Sequence, residues 1–379
     1  MIRSFRYPLR PTQAQEAVLT HWLGMCCDIY NGALQERRDA WRKEHRSIGY
    51  NDQTKALTEI RAAVPGWCDV PCEVVRSSLR RLDRAMKAFF LRVKRGVKPG
   101  FPRFRSRRQY DSFGTQGPVR VDGNCVMLPK LGAVRFNQYR PIVGKVLDVI
   151  IRREADRWWV TFQCDVGAAP AKPEAATIDA SRMIGVDVGL TSLATLSTGE
   201  QIANPRHGRE AAKKLAAAQR CLARKQKGSR SRKRALVRVQ RAHIHIANQR
   251  KDTAYKTAAG LVDRFDVICF EDLNINGLAG GILSKSVHDA SWGRLIAAVA
   301  CKAESAGKHV VLVDPRGTSQ RCSGCGEVVR KTLSVRTHEC PHCGLVLDRD
   351  VNAAINILAL GRSALGLSAT PPITSEGRT

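Results

Sequence analysis

An acidic residue inside an apolar strand is the feature that most narrows what this chain can fold into. The run Ile184-Gly-Val-Asp-Val-Gly189, followed by Leu190-Thr-Ser-Leu-Ala-Thr-Leu196, reads as a buried strand, a tight turn and a second strand, with Asp187 in the first. A carboxylate there is costly unless it is paired or holds a cation. The pattern recurs in Asp266-Val-Ile-Cys-Phe270, an apolar strand ending at Glu271. A third acid, Asp350, stands in Asp348-Arg-Asp-Val-Asn-Ala-Ala354, where a helix over 351–360 opens. Taken singly, each has an ordinary explanation: Asp350 as a helix N-cap, Glu271 or Asp272 as a surface residue at a strand end. Together, two strands and a helix N-terminus can converge three acids on one point. Uncompensated, they repel and raise one another's pKa values. Divalent cations remove that conflict. Mg²⁺ takes oxygen ligands and keeps positions for phosphate and water, and two ions ~3.5–4 Å apart stabilise both oxygens of an in-line displacement.

A second metal signal lies between these elements. Cys322-Ser-Gly-Cys325 and Cys340-Pro-His-Cys343 are two C-x2-C knuckles separated by fourteen residues, close to the usual zinc spacing. Four thiolates fill a tetrahedral site and leave no open position, so this zinc is structural. His338 and His342 lie nearby without being needed as ligands. The nine other cysteines show no paired spacing of similar quality; Cys68-x3-Cys72 has the alternative of a metal pair but reads as small core-filling thiols.

Lys and Arg total 63 against 34 Asp and Glu, a formal charge of +29. That excess favours a polyanionic partner, and nucleic acid is the default, since phosphate contacts release counterions. No apolar run approaches the ~20 residues of a membrane span, and the first residues lack the apolar core of a signal peptide. A cytoplasmic protein without membrane contacts is expected. The densest basic stretch, 213–256, has Asp252 as its sole acid and breaks at Gly228-Ser229, which predicts a helical hairpin with its charge at the tip. Arg224, Lys225, Lys227, Arg230, Arg232, Lys233 and Arg234 are its candidate backbone contacts. Arg76, Arg80 and Arg84, with Arg81, lie on a helix over 74–93, and Arg103 and Arg105 lie in a cluster with Arg107 and Arg108. Phe101, Phe104 and Tyr110 interleave with that cluster, as base-stacking rings or as core.

Alternation at Phe5, Tyr7 and Leu9 predicts an opening strand, Thr12 caps a helical stretch reaching about residue 95, and Gly96–Pro102 breaks it. A hairpin of 146–151 with 158–164 follows, and an Ala-, Pro- and Gly-rich linker spans 167–173. A helix over 293–306 and a strand at His309-Val-Val-Leu-Val-Asp314 precede the zinc knuckles.

The order strand-Asp, strand-Glu, helix-Asp matches the RNase H-like arrangement. The chain further resembles the TnpB family of insertion-sequence proteins, relatives of type V CRISPR effectors. The resemblance rests on Pro11-Thr-Gln-Ala-Gln15, Gly100-Phe-Pro-Arg-Phe-Arg105, Gly185-Val-Asp-Val-Gly-Leu190, Phe270-Glu-Asp-Leu273, Asp289-Ala-Ser-Trp-Gly293, Thr318-Ser-Gln-Arg-Cys-Ser-Gly-Cys-Gly326 and Asp348-Arg-Asp-Val-Asn-Ala-Ala354, in that order.

It implies an α/β multidomain chain: a wedge-like β-barrel (1–10 and 97–175) with an inserted helical recognition region (11–96), a RuvC-like nuclease (176–317 and 347–361) carrying a zinc ribbon (318–346), and a flexible tail (362–379). It implies Asp187, Glu271 and Asp350 as catalytic Mg²⁺ ligands, Asp348 being the rival third acid, and Cys322, Cys325, Cys340 and Cys343 as zinc ligands. The implied activity is RNA-guided cleavage of double-stranded DNA beside a short flanking motif, by a transposable-element enzyme that hydrolyses phosphodiesters. Two Mg²⁺ ions, a zinc ion and a guide RNA from the element's end are the implied cofactors, with one protein per RNA or a dimer. The alternatives are a nuclease-silent RNA-guided DNA-binding regulator, which the three acids argue against, and a transposase acting directly on element ends.

Overall fold

A computed structural model describes residues 1–116, 119–332 and 335–368. The chain divides into two compact units, Met1–Ala168 and the remainder from Ala169.

In the first unit, strand β1 (Ile2–Arg10) buries Phe5, Tyr7 and Leu9 on one face, as its alternation requires. Helices α1 (Gln13–Glu44), α2 (Tyr50–Ala63) and α3 (Cys72–Lys94) follow. Thr12 and Gln15 form a reciprocal capping box at the start of α1. Strands β2 (Ser112–Gln116), β3 (Val121–Asp122), β4 (Cys125–Leu128), β5 (Gly132–Phe136), β6 (Lys145–Glu154) and β7 (Arg157–Asp165) complete an antiparallel sheet in the order β2-β6-β7-β1-β5-β4-β3. Tyr7, Phe136 and Phe162 pack ring against ring at its centre, and Trp22 of α1 meets Phe113 edge-on at 5.8 Å between ring centroids. Cys68 is exposed and Cys72 half-buried, so the expectation that this pair fills a core fails; Cys26 and Cys27 of α1 and Cys164 of β7 are buried in this unit's core.

The second unit is built on strands β8 (Met183–Asp187), β9 (Ser192–Leu196) and β10 (Gln201–Ala203), helices α4 (His207–Ala223) and α5 (Arg230–Arg264), and strand β11 (Val267–Glu271). Helices α6 (Ile275–Leu278), α7 (Ser284–Ala290) and α8 (Trp292–Ser305) lead to β12 (His309–Val313). A small ribbon of β13 (Thr337–Glu339) and β14 (Val346–Asp348) precedes the last helix, α9 (Arg349–Ala364). The main sheet has the order β10-β9-β8-β11-β12. The first three strands form an antiparallel meander, and β8, β11 and β12 run parallel. One face buries Ile184, Val186, Ile268 and Phe270 with residues of α5 and α8; the other buries Met183, Val267 and Cys269 with Ile357 of α9.

Two glycines allow α9 to lie against this second face. A Cβ on Gly185 would sit 2.0 Å from the Ala354 carbonyl oxygen, and one on Gly361 would sit 2.1 Å from Cys269 Sγ. Gly361 is therefore a contact point inside the helix rather than its stop signal. The helix continues to Ala364, beyond the expected end near residue 360, so 362–364 are not tail. The rest of the expected flexible tail, from 369, lies outside the described residues. No helix among the described residues is long and apolar enough to cross a membrane.

Candidate active site

Strand period and register bring the first two acids together. In β8, Met183, Gly185 and Asp187 share one face, and in β11, Val267, Cys269 and Glu271 do. The parallel pairing aligns Met183 with Val267 and Val186 with Phe270, so Asp187 and Glu271 end neighbouring strands on the same face. That face is the one α9 covers. Its first turn carries Asp350. The strands' carboxyl ends, beside the point where the sheet changes from antiparallel to parallel, are where open α/β sheets place their ligands.

Burial raises all three acids, and Asp187 also senses the charges of the other two. Burial, then the negative charges of Glu271 and Asp350, push the Asp187 carboxyl well above the ordinary carboxylate range, with Arg349 opposing. Burial also raises Glu271, against a hydrogen bond from Thr318. Asp350 is raised by burial and by Asp348, with Arg336 (3.7 Å away) and Arg349 opposing. Such a set favours protons or cations between its members. Asp348 and Asp350 differ in their local role: Asp348 caps α9, its Oδ1 accepting from the backbone N–H of Asp350 (2.8 Å) and Val351 (3.2 Å). Asp350 is thereby free of the capping role that its position first suggests.

Among the described residues, the one group of three or more such side chains drawn tightly enough to hold a single ion is Cys322, Cys325, Cys340 and Cys343, whose sulfurs all lie within 4.8 Å of one another. Two pairs, Cys322–Cys343 and Cys325–Cys340, stand 3.6 Å apart. A regular tetrahedron with Zn–S near 2.3 Å has edges of about 3.8 Å, so the quartet fits zinc. The knuckles repeat one geometry. Gly326 N donates to the Cys322 carbonyl and Gly344 N to that of Cys340, both at 2.9 Å, and each glycine takes a left-handed φ (84° and 72°) that suits glycine.

Other residues hold the site's elements and escaped the sequence reading. Trp292 Nε1 donates to the Gly189 carbonyl (3.1 Å), tying α8 to the turn after Asp187. Asp289 accepts from the backbone N–H of Gly208 and Arg209 and pairs with Arg250, anchoring the start of α4 to α5. Thr318, Asn352 and Asn356 are buried polar side chains around Glu271 and the first knuckle. Their signal was polar residues spaced i, i+4 on an otherwise apolar helix face.

The basic candidates divide. The α4–α5 hairpin turns between Ala223 and Arg230, and Arg224, Lys225, Lys227, Arg230, Lys233 and Arg234 are exposed near its tip. Arg232 instead donates to the carbonyls of Leu222 (2.9 Å) and Lys225 (3.0 Å), stapling the turn. In the first unit Arg76 and Arg80 pair with Glu73 (3.1 and 3.2 Å), and Arg81 donates to Ser112 while lying over the Tyr110 ring. Arg84, Arg103 and Arg105 are exposed; Arg107 pairs with Asp28. Tyr110 is core, whereas Phe101 and Phe104 are 43% and 44% exposed, the first against Phe89 and the second under Arg38.

Comparison with known proteins sets this geometry in a class. The chain shares the fold of the mini-RNA-guided endonuclease CRISPR-Cas phi3, with a TM-score of 0.50 at 8% identity over 98% of this chain and 94% of that one. Residues 165–280 match the IS605 OrfB family described as "Probable transposase", 292–357 the "Cas12f1-like, TNB domain", and 1–46 a "Helix-turn-helix domain". The last segment is a strand and one continuous 32-residue helix here. A Streptomyces pristinaespiralis protein named "Putative RNA-guided DNA endonuclease" is 35% identical, covering 96% of this chain and 90% of that protein. Its Escherichia coli K12 counterpart InsQ, with the same description, is 31% identical over 96% and 93%. The chain belongs to the TnpB family, the OrfB proteins of IS605-type elements.

Proposed function

We propose that this protein is an RNA-guided DNA endonuclease of a transposable element that hydrolyses target DNA with divalent metal. The observation that carries the reading is the placement of Asp187 and Glu271 at the ends of paired parallel strands, on the face covered by α9, whose first turn bears Asp350, in a chain whose relatives are named as RNA-guided DNA endonucleases. The sheet order, with a three-strand meander joined to parallel strands and acids at their carboxyl ends, supports a RuvC-like, RNase H-type nuclease over 176–317 and 347–364. The ribbon over 318–346 is its zinc insert. The antiparallel sheet of 1–10 and 97–175 is the wedge-like barrel and 11–96 the helical recognition insertion.

Asp187, Glu271 and Asp350 would hold two Mg²⁺ ions, and the donor chemistry fits: three carboxylates, each raised by burial and Asp187 also by the charges of the other two, whose ionisation a cation would favour. When bound, such ions neutralise the carboxylates, polarise a phosphodiester and supply an activated water. The chain's own part is placement. β8 and β11 set two carboxylates side by side, α9 brings the third, and the Asp348 cap keeps the first turn of α9 in register. The exposed cations at the hairpin tip suit a guide RNA or its heteroduplex with the target, bound through phosphates, while base pairing supplies sequence choice.

The test is to purify the protein from a host carrying its native locus and sequence the RNA that accompanies it. The complex is then offered plasmid targets with Mg²⁺. A defined RNA from the element's end, and cuts that move when its guide segment is rewritten, are expected. A regulator would shift DNA mobility without fragments, and a transposase would join ends without RNA; either outcome overturns the proposal.

A further inference from the structure

Between the zinc knuckles and Glu271 runs a chain of hydrogen bonds among buried polar side chains. Asn352 of α9 is fully buried. Its Nδ2 donates to the Arg321 carbonyl (2.8 Å), and its Oδ1 accepts from Ser323 N–H (2.9 Å), so it brackets Cys322 from both sides in sequence. Asn356, one turn further along the same helix face, donates Nδ2 to the carbonyls of Thr318 (2.8 Å) and Arg321 (2.7 Å). Thr318, 4% exposed, donates its hydroxyl to Glu271 Oε1, with the Pro315 carbonyl as a longer second acceptor at 3.1 Å. Buried amides are retained where they are hydrogen-bonded, and here they bond the backbone of one short segment, 318–323. One end of that segment is a zinc ligand. The other holds a carboxylate of the candidate active site.

Resting on the reading of Glu271 as a metal ligand, we propose that Thr318, Asn352 and Asn356 are positioning residues through which the zinc ribbon orients the Glu271 carboxylate. Closing Cys322 into the tetrahedral site pins residue 323 against Asn352. The two asparagines then fix the path back to Thr318, whose single hydroxyl proton holds one oxygen of Glu271 and leaves the other to a metal ion. The ribbon thus acts on catalysis without touching substrate. Outer partners of this kind are worth about tenfold to a hundredfold in metal affinity.

The experiment uses the full chain with its RNA and reads Mn²⁺ binding by calorimetry, zinc content by colorimetric release, and the Mg²⁺ concentration giving half-maximal cleavage. Thr318→Val removes the hydroxyl and keeps the shape. It is expected to retain one zinc per chain, weaken Mn²⁺ binding about tenfold to a hundredfold and raise the Mg²⁺ requirement in step, while Thr318→Ser restores both. Cys325→Ser, which opens the zinc site, should weaken Mn²⁺ binding in the wild-type background and add little to Thr318→Val, because the link is already cut. Wild-type Mn²⁺ affinity in Thr318→Val, loss of its zinc, failure of serine to rescue, or additive effects in the double variant would each overturn the proposal. Asp187→Ala separates the two levels. If it binds Mn²⁺ and cuts like the wild type, the active-site reading itself fails; if it is dead while Thr318→Val is normal, the positioning chain alone fails.

Discussion

Gly185→Ala should damage catalysis more than stability. The new Cβ would lie 2.0 Å from the Ala354 carbonyl oxygen, 2.7 Å from Leu358 N and 2.9 Å from Leu358 Cβ, all in α9. Ordinary contact begins at 3.4 Å, so helix and strand must part by about 1.4 Å, in the range of core overpacking that costs roughly 1–3 kcal/mol. At roughly 2–4 °C per kcal/mol for a unit of this size, the melting temperature falls by roughly 2–12 °C. Asp350 stands one helical turn before Ala354, so the displacement is delivered to the third carboxylate. A misplacement of about 1 Å can cost about 10²-fold in rate. Single-turnover cleavage of a matched target at saturating Mg²⁺, with RNA affinity and melting measured in parallel, should show about a hundredfold slower cutting and unchanged RNA binding. Gly260→Ala is the control: it lies in α5 with nothing within 4 Å of the added atom, and should be neutral or stabilise by about 0.5–1 kcal/mol. Cleavage by Gly185→Ala within threefold of wild type would refute the seating of α9 as what brings Asp350 to the site.

Asp348→Ala should lower stability by about 1 kcal/mol through loss of the cap and keep most activity, whereas Asp350→Ala should abolish cleavage; thermal melts and single-turnover rates separate them, and the reverse pattern would exchange their roles. Asp187→Asn should raise the melting temperature at pH 7.5 without added divalent metal. The folded carboxyl of Asp187 titrates above its unfolded value, so its stability is fullest at low pH and is lost as pH rises through the folded value; the advantage of asparagine must shrink as pH is lowered, and a pH-independent gain contradicts this. Replacing Arg224, Lys225 and Lys227 by alanine should weaken RNA binding and flatten its salt dependence by about 0.7–0.9 per lost phosphate contact. Arg232→Ala should chiefly destabilise the hairpin turn, as reported by local hydrogen exchange.

Asp187, Glu271 and the cysteine quartet were legible as candidates because each departs from a strong rule, whereas Asp350 needed the order of elements. Asp187 and Glu271 interrupt apolar strands, and four cysteines at knuckle spacing have few other uses. The hairpin break at Gly228-Ser229 and the alternation of β1 were legible for the same local reason. What the sequence hid depends on contacts between distant segments. Gly185 stands in a strand with no local reason to be small, and is small because α9 crosses it; Gly361 looks like a helix stop, yet it makes room for Cys269. Asp348 and Asp350 are chemically equal in sequence, and only the cap geometry tells them apart. Charge counting could not show which basic side chains already have partners within the protein, as Arg76, Arg80 and Arg232 do. The roles of Asn352 and Asn356 could not be read locally because their acceptors lie more than thirty residues earlier in the chain.

A direct test of the central claim is programmed cleavage by Asp187→Ala beside the wild type, each carrying the same RNA, with Mg²⁺ present. The wild type should cut the matched plasmid and spare a mismatched one. The variant should bind the matched plasmid equally well and leave it whole. Fragments from the variant at the wild-type rate would mean that the carboxylates at the ends of β8 and β11 do not perform the hydrolysis.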